Sequence, residues 1–288
     1  MGSKKATGGF PGFSDFVESR RNKFRFKPAT AEFYEKELGY LFRRAGELGI
    51  KHPSDFNDRS IEDLEGLLSK TAGRVTVRKY MRALKTYLRW CEGRGLIDCA
   101  PKITIPHIET LIEPLRPDEF AKLLQAAKKS TQPKRNVALL MVMGRAGLRA
   151  GEVCRLKVDD FKNGQLRLVY TKTGRDRFLP LPDKVATAVE QYLRKERPRC
   201  YSEYLFVNAE GGQLTDNALR LMLRRLSDDT GVKVHPHLLR HSFAFLGVLQ
   251  GVPMTVIQFM LGHTTLEMTK RYINLSGGDA ARWRSAWD

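Results

Sequence analysis

The chain has 288 residues, of which 42% are hydrophobic, and a formal net charge of +18 with a pI near 9.9. Its length leaves room for two domains of about 150 residues each, and no run of about 18 apolar residues exists to form a membrane span. The large positive charge favours a nucleic-acid partner over solubility alone. The four scattered cysteines lack a CxxC pair, which argues for a reducing interior and against a disulfide framework.

The first hundred residues predict a short arm followed by a small helical domain. Residues 1–12 are interpreted as a flexible basic arm, since they contain no apolar signal region. Residues 13–100 repeat apolar side chains at helical spacing, and glycines follow the repeats. The second predicted helix starts near Pro28, ends before Gly49 and buries Phe33, Leu38, Leu41, Phe42, Ala45 and Leu48. A third begins at a capping pair of Ser60 and Asp63, and a fourth spans residues 73–91.

Two of these helices concentrate arginine and lysine. Arg20 and Arg21 fall near the end of the first, and Arg78 and Arg82 lie on the fourth. We interpret these arginines as contacts to nucleic-acid phosphates, and a solvated helix face is the alternative. The aromatic stripe of the fourth helix is interpreted as core and not as a base-stacking surface.

Residues 101–116 are expected to link two domains. They contain Pro101, Pro106 and Pro114 and show no helical period. Proline fixes φ and removes a backbone donor, so the segment is predicted to be extended. The second domain is placed at residues 117–275.

The second domain opens with helices predicted over residues 118–129 and 137–145, followed by an arginine in an apolar setting. In the run GRAGLRAGEVCRL, Gly147 permits a tight turn, and Glu152 follows Arg149 by three residues. A structural ion pair is the plainer interpretation of these two residues alone. Because a buried unpaired guanidinium is costly, Glu152 is expected to orient and partly neutralise Arg149.

A hairpin and two further helices are predicted next. Strands over residues 165–170 and 177–181 flank the turn TKTGRD, which contains Gly174. Lys172 follows the end of the first strand, and a solvated turn lysine is the plainer interpretation of the sequence by itself. A surface helix over residues 183–197, a short strand over 205–207 and a helix over 215–230 follow. Arg220 and Arg224 lie on the last helix, whose basic side is interpreted as a face for a nucleic-acid groove or phosphates.

The stretch from residue 235 to residue 272 holds four of the six histidines. Pro236 opens a helix on which His237, Arg240 and His241 share a face. A second helix starts at Pro253 and stops at Gly262, and Thr264 with Glu267 forms a capping box for a third, which carries Tyr272. This stack is predicted to gather His237, Arg240, His263 and Tyr272 around one point.

The chemistry of that set suggests attack on a phosphodiester. Cations clamp a phosphoryl group, an imidazole moves a proton, and a phenol is a nucleophile once a base has taken its proton. The phenol is also a reasonable leaving group afterwards, so a phosphotyrosine bond can be formed and reversed.

The runs PHLLRHSFA and LGHTTLEMTKRY, with His263 and Tyr272 nine residues apart, resemble the C-terminal signature of the tyrosine recombinases, the phage-integrase and Xer-like family. The resemblance covers nearly the whole chain. It implies a mainly α fold with a small β-sheet in the C-terminal domain. A helical core-binding domain and a mixed α/β catalytic domain would together form a DNA clamp.

The resemblance also implies roles for individual residues. Tyr272 would attack a phosphodiester to give a 3′-phosphotyrosyl link, while Arg149 and Arg240 hold the non-bridging oxygens. His237 would act as base and acid, Lys172 would protonate the leaving 5′-oxygen, and His263 would donate a hydrogen bond to the phosphoryl group. The family carries glycines beside this lysine where Thr171 and Thr173 stand, so Arg175 and Arg177 are alternatives. The supporting residues are Glu152 and His241.

Partners and location follow from the same resemblance. The chain is expected to act on a specific site in double-stranded DNA as a homotetramer on two duplexes, weakly associated without DNA, in the prokaryotic cytoplasm with the nucleoid. Trp283 and Trp287 in the tail, residues 276–288, are expected to enter a neighbouring subunit, and docking on the same chain is the alternative. Neither metal nor ATP is required, because the phosphotyrosine conserves bond energy. The sequence does not decide whether a partner protein activates the chain.

Several alternatives stay open. The sequence does not distinguish two biological roles. One is dimer resolution in chromosome partition at cell division, and the other is integration of a mobile element or virus. A catalytically idle DNA-binding protein on the same fold and a type IB topoisomerase share most of these features. His237 and His241 also imitate an HxxxH zinc pair, although no third ligand lies nearby in the sequence.

Overall fold

The computed structural model describes residues 9–22, 28–105, 113–169, 176–263 and residue 265. The chain divides into two compact units, Met1–Thr110 and Leu111–Asp288. None of the described helices combines the length and the apolar character that crossing a bilayer requires. Lys172, Tyr272, Trp283, Trp287 and the predicted Thr264–Glu267 capping box lie outside the described residues.

The first unit is helical. Phe16 and Tyr87 are fully buried at its centre, where their rings meet edge to face at 5.4 Å. The aromatic stripe of the fourth helix is therefore core, as predicted, and Cys91 beside it is a buried thiol. The helices of this unit are α1 (Phe13–Arg21), α2 (Pro28–Glu47), α3 (Asp58–Ser69) and α4 (Arg74–Glu92), with a 3₁₀ turn at Pro53–Asp55.

Three details of this unit differ from the sequence-based expectations. Helix α3 begins two residues earlier than predicted, because the Asn57 side chain accepts from the Ser60 backbone N–H and the Ser60 hydroxyl accepts from that of Asn57. Phe33 and Leu48 were expected in the core but are 37% and 40% exposed. Phe10, assigned to the arm, is buried and stacks on Phe42 at 4.0 Å.

The predicted linker contributes to both cores. Ile103 is buried in the first unit, and its carbonyl accepts a 2.7 Å hydrogen bond from the Lys85 ammonium. Leu115 is buried in the second unit, and its backbone N–H donates to the Ser242 hydroxyl. The ends of this segment are therefore packed, which proline content alone does not reveal.

The second unit packs helices around the apolar helix α6, which contacts α5, α8 and α10. Its core includes Leu139, Leu140, Val142 and Met143 of α6, as the continuous apolar run predicted. The helices are α5 (Pro117–Lys129), α6 (Pro133–Arg145), α7 (Ala150–Val153), α8 (Asp183–Lys195), α9 (Asp216–Thr230), α10 (Pro236–Leu249) and α11 (Met254–Leu261).

A three-stranded antiparallel sheet completes the second unit in the order β1 (Phe161–Lys162), β2 (Gln165–Leu168) and β3 (Arg177–Pro180). The strand β1 was not predicted, because it is only two residues long. The strand expected at residues 205–207 is not formed; instead Val207 makes an isolated bridge with Gln213. The described part of the chain confirms the predicted class, mainly α with a small β-sheet.

Candidate active site

Arg149 is fixed at the start of the short helix α7. Its backbone N–H donates to Glu152 Oε2 at 2.8 Å, and its Nη1 donates to Glu152 Oε1 at 3.0 Å. The predicted Arg149–Glu152 pair is therefore present. Nη2 donates across the unit to the carbonyl of Gly262 at 3.3 Å. The guanidinium is thus held from two sides while its side chain keeps 31% exposure.

Arg240 is the most enclosed cation of α10. Its Nη1 donates to the Gly147 carbonyl at 2.8 Å, and its Nη2 donates to the Leu261 carbonyl at 2.6 Å. Leu261 ends α11, where carbonyl groups lack helical partners and attract cations. Arg149 and Arg240 therefore donate hydrogen bonds to the carbonyls of consecutive residues at the end of α11, immediately before His263.

The carboxylate of Glu152 lies among three arginines. Besides the bond to Arg149, its Oε2 lies 3.5 Å from Arg177 Nη2 and 3.9 Å from Arg240 Nη1. Arg177 is buried and Glu152 is half-buried, with side chains 7% and 12% exposed. One negative charge thus faces three positive charges, which leaves a positive excess suited to an anion.

His237 lies one helical turn before Arg240 on α10 and is exposed at the surface. Desolvation of the ring and the charges of Arg220, Arg240 and Arg149 lower the pKa of His237, while Asp216 opposes them. The lowered pKa makes the imidazole neutral near pH 7, which is the state that accepts a proton. The same electrostatic coupling indicates that His237 shares the neighbourhood of both arginines.

The two remaining histidines of the predicted site flank this arrangement. His263 follows Gly262, whose left-handed backbone at φ 60° ends α11. The His263 carbonyl accepts from the Gln258 side chain at 3.2 Å, and its N–H donates to the Gln258 carbonyl at 3.1 Å. His241 is half-buried on α10 next to Arg240. The structure thus brings Arg149, Glu152, Arg240, His237 and His263 into one region.

Sequence reasoning missed the placement of Arg177. It was considered only as a substitute for Lys172 on the hairpin, yet its guanidinium is buried against Glu152. A signal was available, because the predicted strand alternates and Arg177 shares the inward face with the buried Leu179, whereas Phe178 points outward and is 59% exposed.

The predicted DNA contacts of the first unit differ in their availability. The Arg20 guanidinium lies 4.8 Å from the Phe16 ring centre, and Arg21 pairs with Glu35 at 2.8 Å. Arg82 is exposed and lines the same groove as Arg20, and Arg78 is half-buried. Arg21 and Arg82 are therefore exposed, whereas Arg20 and Arg78 are half-buried.

On α9 of the second unit, Arg220 and Arg224 are both exposed. Arg220 pairs with Asp216 at 2.6 Å. Because Arg220 also acts on the pKa of His237, it belongs to the surroundings of the candidate active site as well.

No cluster of three or more His, Cys, Asp or Glu side chains suited to a metal ion occurs among the described residues. The HxxxH pair of His237 and His241 thus lacks a further ligand of that kind in the part of the chain that the structure describes. What the region offers instead is two fixed guanidinium groups, a neutral imidazole and a positive excess. That combination binds a phosphate and can move a proton.

Comparison with known proteins identifies the class. Residues 113–277 match the model of the phage integrase family, which is more than half of the chain. Over 207 residues the chain is 32% identical to tyrosine recombinase XerA of Pyrococcus furiosus, an alignment that covers 70% of each protein. It is 26% identical over 277 residues to tyrosine recombinase XerC of Oceanobacillus iheyensis, covering 91% of this chain and 90% of the relative.

Solved structures show the same fold. A crystal structure of XerA recombinase aligns with a TM-score of 0.54 at 25% identity, covering 94% of this chain and 95% of the other. A structure of the XerH site-specific recombinase bound to its palindromic difH substrate aligns with a TM-score of 0.73 at 20% identity, covering 96% and 84%.

The chain belongs to the phage integrase family. Within that class its curated relatives are tyrosine recombinases of the Xer type, which confirms the resemblance seen in the sequence. Tyrosine recombinases are enzymes that cleave and rejoin DNA.

Proposed function

We propose that this chain is a Xer-like site-specific recombinase that cuts and rejoins duplex DNA and resolves chromosome or plasmid dimers. The observation that carries the proposal is the convergence of Arg149 and Arg240 on Glu152 and on the end of α11, directly before His263. Its curated relatives are named Xer recombinases, and the XerH structure contains a DNA substrate after cleavage.

The first chemical event is transfer of a phosphodiester to Tyr272. The phenolic oxygen bonds to phosphorus while the bond from phosphorus to the 5′-oxygen breaks. His237 takes the phenolic proton, for which its lowered pKa suits it, and Lys172 supplies a proton to the leaving 5′-oxygen. Rejoining is the reverse, with the 5′-hydroxyl of another strand as the nucleophile.

Charge stabilisation comes from groups fixed in advance. Arg149 and Arg240 face the non-bridging oxygens, because planar guanidinium groups suit phosphate, and His263 adds a hydrogen bond. Glu152 orients the two arginines, and His241 supports the same helix. These contacts cost little reorganisation, since both guanidinium groups are already held by backbone carbonyls.

DNA contact and assembly extend over both units. Arg20, Arg21, Arg78 and Arg82 would face DNA from residues 13–100, and Arg220 and Arg224 from residues 117–275. Four subunits on two duplexes would exchange strands pairwise, with Trp283 and Trp287 of each tail in a neighbour. An activating protein partner and a place with the nucleoid in the cytoplasm belong to the same proposal.

Covalent trapping tests this function. Wild-type protein and Tyr272→Phe are incubated with fragments of genomic DNA from the source organism, quenched in SDS and sequenced at the protein-linked ends. The proposal predicts adducts at a defined site with wild type and none with Tyr272→Phe, whose DNA binding stays nearly intact. DNA binding without any adduct would identify an idle binding protein. Adducts without a preferred site, with relaxation of supercoiled plasmid, would identify a topoisomerase.

A further inference from the structure

Arg177 breaks the hydrophobic pattern of the sheet. It pairs in register with Leu168, and both side chains lie on the buried face, whereas the neighbouring Phe178 is exposed. Burying a guanidinium is costly unless a partner compensates it. An inward arginine next to an outward phenylalanine therefore indicates a local requirement for the charge.

Glu152 is a compensating partner of Arg177, and its carboxylate also contacts Arg149 and faces Arg240. Oε2 of Glu152 accepts from the Arg149 backbone N–H at 2.8 Å, lies 3.5 Å from Arg177 Nη2 and lies 3.9 Å from Arg240 Nη1. The carboxylate is thus shared between a strand of the sheet and both arginines of the proposed phosphate site.

The position of the Glu152 carboxylate between three arginines affects the charge of the proposed phosphate site. A carboxylate that served only Arg149 and Arg240 would be free to close on them and to neutralise the charges that a phosphate needs. A third guanidinium on Oε2 opposes that movement and restores the positive excess. It also joins β3 to α7 and α10, so the three elements keep one arrangement.

We propose that Arg177 is a positioning residue for strand cleavage, which acts through Glu152 to hold Arg149 and Arg240 in the geometry that receives the phosphate. This proposal rests on the proposed function and deepens it. Arg177 itself does not touch the DNA, because its side chain is only 7% exposed.

The test separates binding from cleavage. The probe is a nicked duplex carrying the cleavage position mapped with wild-type protein, on which cleavage is trapped. Arg177→Gln, Arg177→Met and Arg177→Lys are compared for the DNA dissociation constant and for the first-order cleavage rate at saturating protein. Arg194→Gln serves as the control, because it removes an exposed positive charge on α8, which is not an element of the proposed phosphate site.

We expect Arg177→Gln to slow cleavage by about 30- to 100-fold, the range that a misplacement near 1 Å produces, with little change in DNA affinity. Arg177→Lys should recover most of the rate, because lysine retains a positive charge that can face Glu152. Arg194→Gln should cleave as wild type does. Should Arg177→Met fail to fold, Arg177→Gln and Arg177→Lys still decide the matter, since both keep a polar group at Glu152.

A double-mutant cycle with Glu152→Gln distinguishes positioning from general destabilisation. If Arg177 acts through Glu152, its replacement should add little once the carboxylate is gone, whereas independent effects would multiply. Wild-type cleavage by a folded Arg177→Gln, or full multiplication in the cycle, would overturn the role of Arg177. Failure of wild-type protein to form any adduct in the genomic trapping experiment, from which the probe is designed, would refute the proposed function and the role of Arg177 together.

Discussion

Replacing Gly147 by alanine tests how the fold holds Arg240. Gly147 has φ 71°, and its carbonyl accepts the 2.8 Å hydrogen bond from Arg240 Nη1. A Cβ at this position would lie 2.4 Å from Cδ1 of Phe243 and 3.0 Å from Cδ2 of Leu261. The substitution therefore imposes an unfavourable backbone conformation and a steric clash at the point where α10 meets the end of α11.

The loss of stability in Gly147→Ala is the sum of the backbone strain and the steric clash. An alanine in the left-handed region costs about 1–2 kcal/mol, and overpacking costs about 1–3 kcal/mol more. Gly231 provides a matched control, because it has the same φ of 71° but nothing within 4 Å of an added Cβ. Gly231→Ala should therefore show the backbone term alone.

Urea unfolding and adduct formation measure the two consequences. Gly147→Ala should lower the free energy of unfolding by about 1–3 kcal/mol more than Gly231→Ala does. It should also slow covalent cleavage by up to about 100-fold, because the displaced carbonyl shifts the Arg240 guanidinium. Equal destabilisation by both substitutions, with cleavage unaffected in each, would refute this reasoning.

Three further predictions concern other parts of the chain. His235 caps α10 by accepting from the Leu238 N–H, and burial, His237 and Arg220 lower its pKa from 6.5. The neutral form is thus favoured in the folded state, so its contribution to stability is full above pH 6.5 and is lost as pH falls through the lowered pKa. His235→Asn should keep the cap, and its urea unfolding midpoint should change less with pH over this range than that of wild type. Arg82→Gln should reduce the salt slope of DNA binding by about one, and an unchanged slope would assign Arg82 to a solvated face. Deleting residues 279–288 should weaken tetramer assembly on DNA more than it lowers the melting temperature, and intact assembly in a sedimentation experiment would mean that the tail docks on its own chain.

The helices of both units could be predicted well because their apolar residues recur with a clear period. The boundaries of α3 could not, since Asn57 and Ser60 compete as caps with the Ser60–Asp63 pair. Burial at helix edges was also missed: Phe33 lies on the apolar stripe of α2, yet it is 37% exposed. The apolar stripe of a helix shows which face is turned to the core, but it does not show how far around the helix burial extends.

The candidate site was predictable as far as local spacing reaches. Arg149 with Glu152 and His237 with Arg240 are neighbours in sequence, so helical geometry alone places each pair. The contacts of both arginines with the end of α11, and of Arg177 with Glu152, join segments far apart in the chain. No local pattern encodes such contacts, although the inward charge at Arg177 hinted at one of them.

The most direct test of the central claim is to identify the residue that becomes linked to DNA. The trapped wild-type complex is digested with protease and nuclease, and the modified peptide is sequenced by mass spectrometry. The proposed chemistry predicts a 3′-phosphate ester on the phenolic oxygen of Tyr272 and a free 5′-hydroxyl on the other DNA end. An ester on any other side chain, or a 5′-linked phosphate on Tyr272, would contradict it.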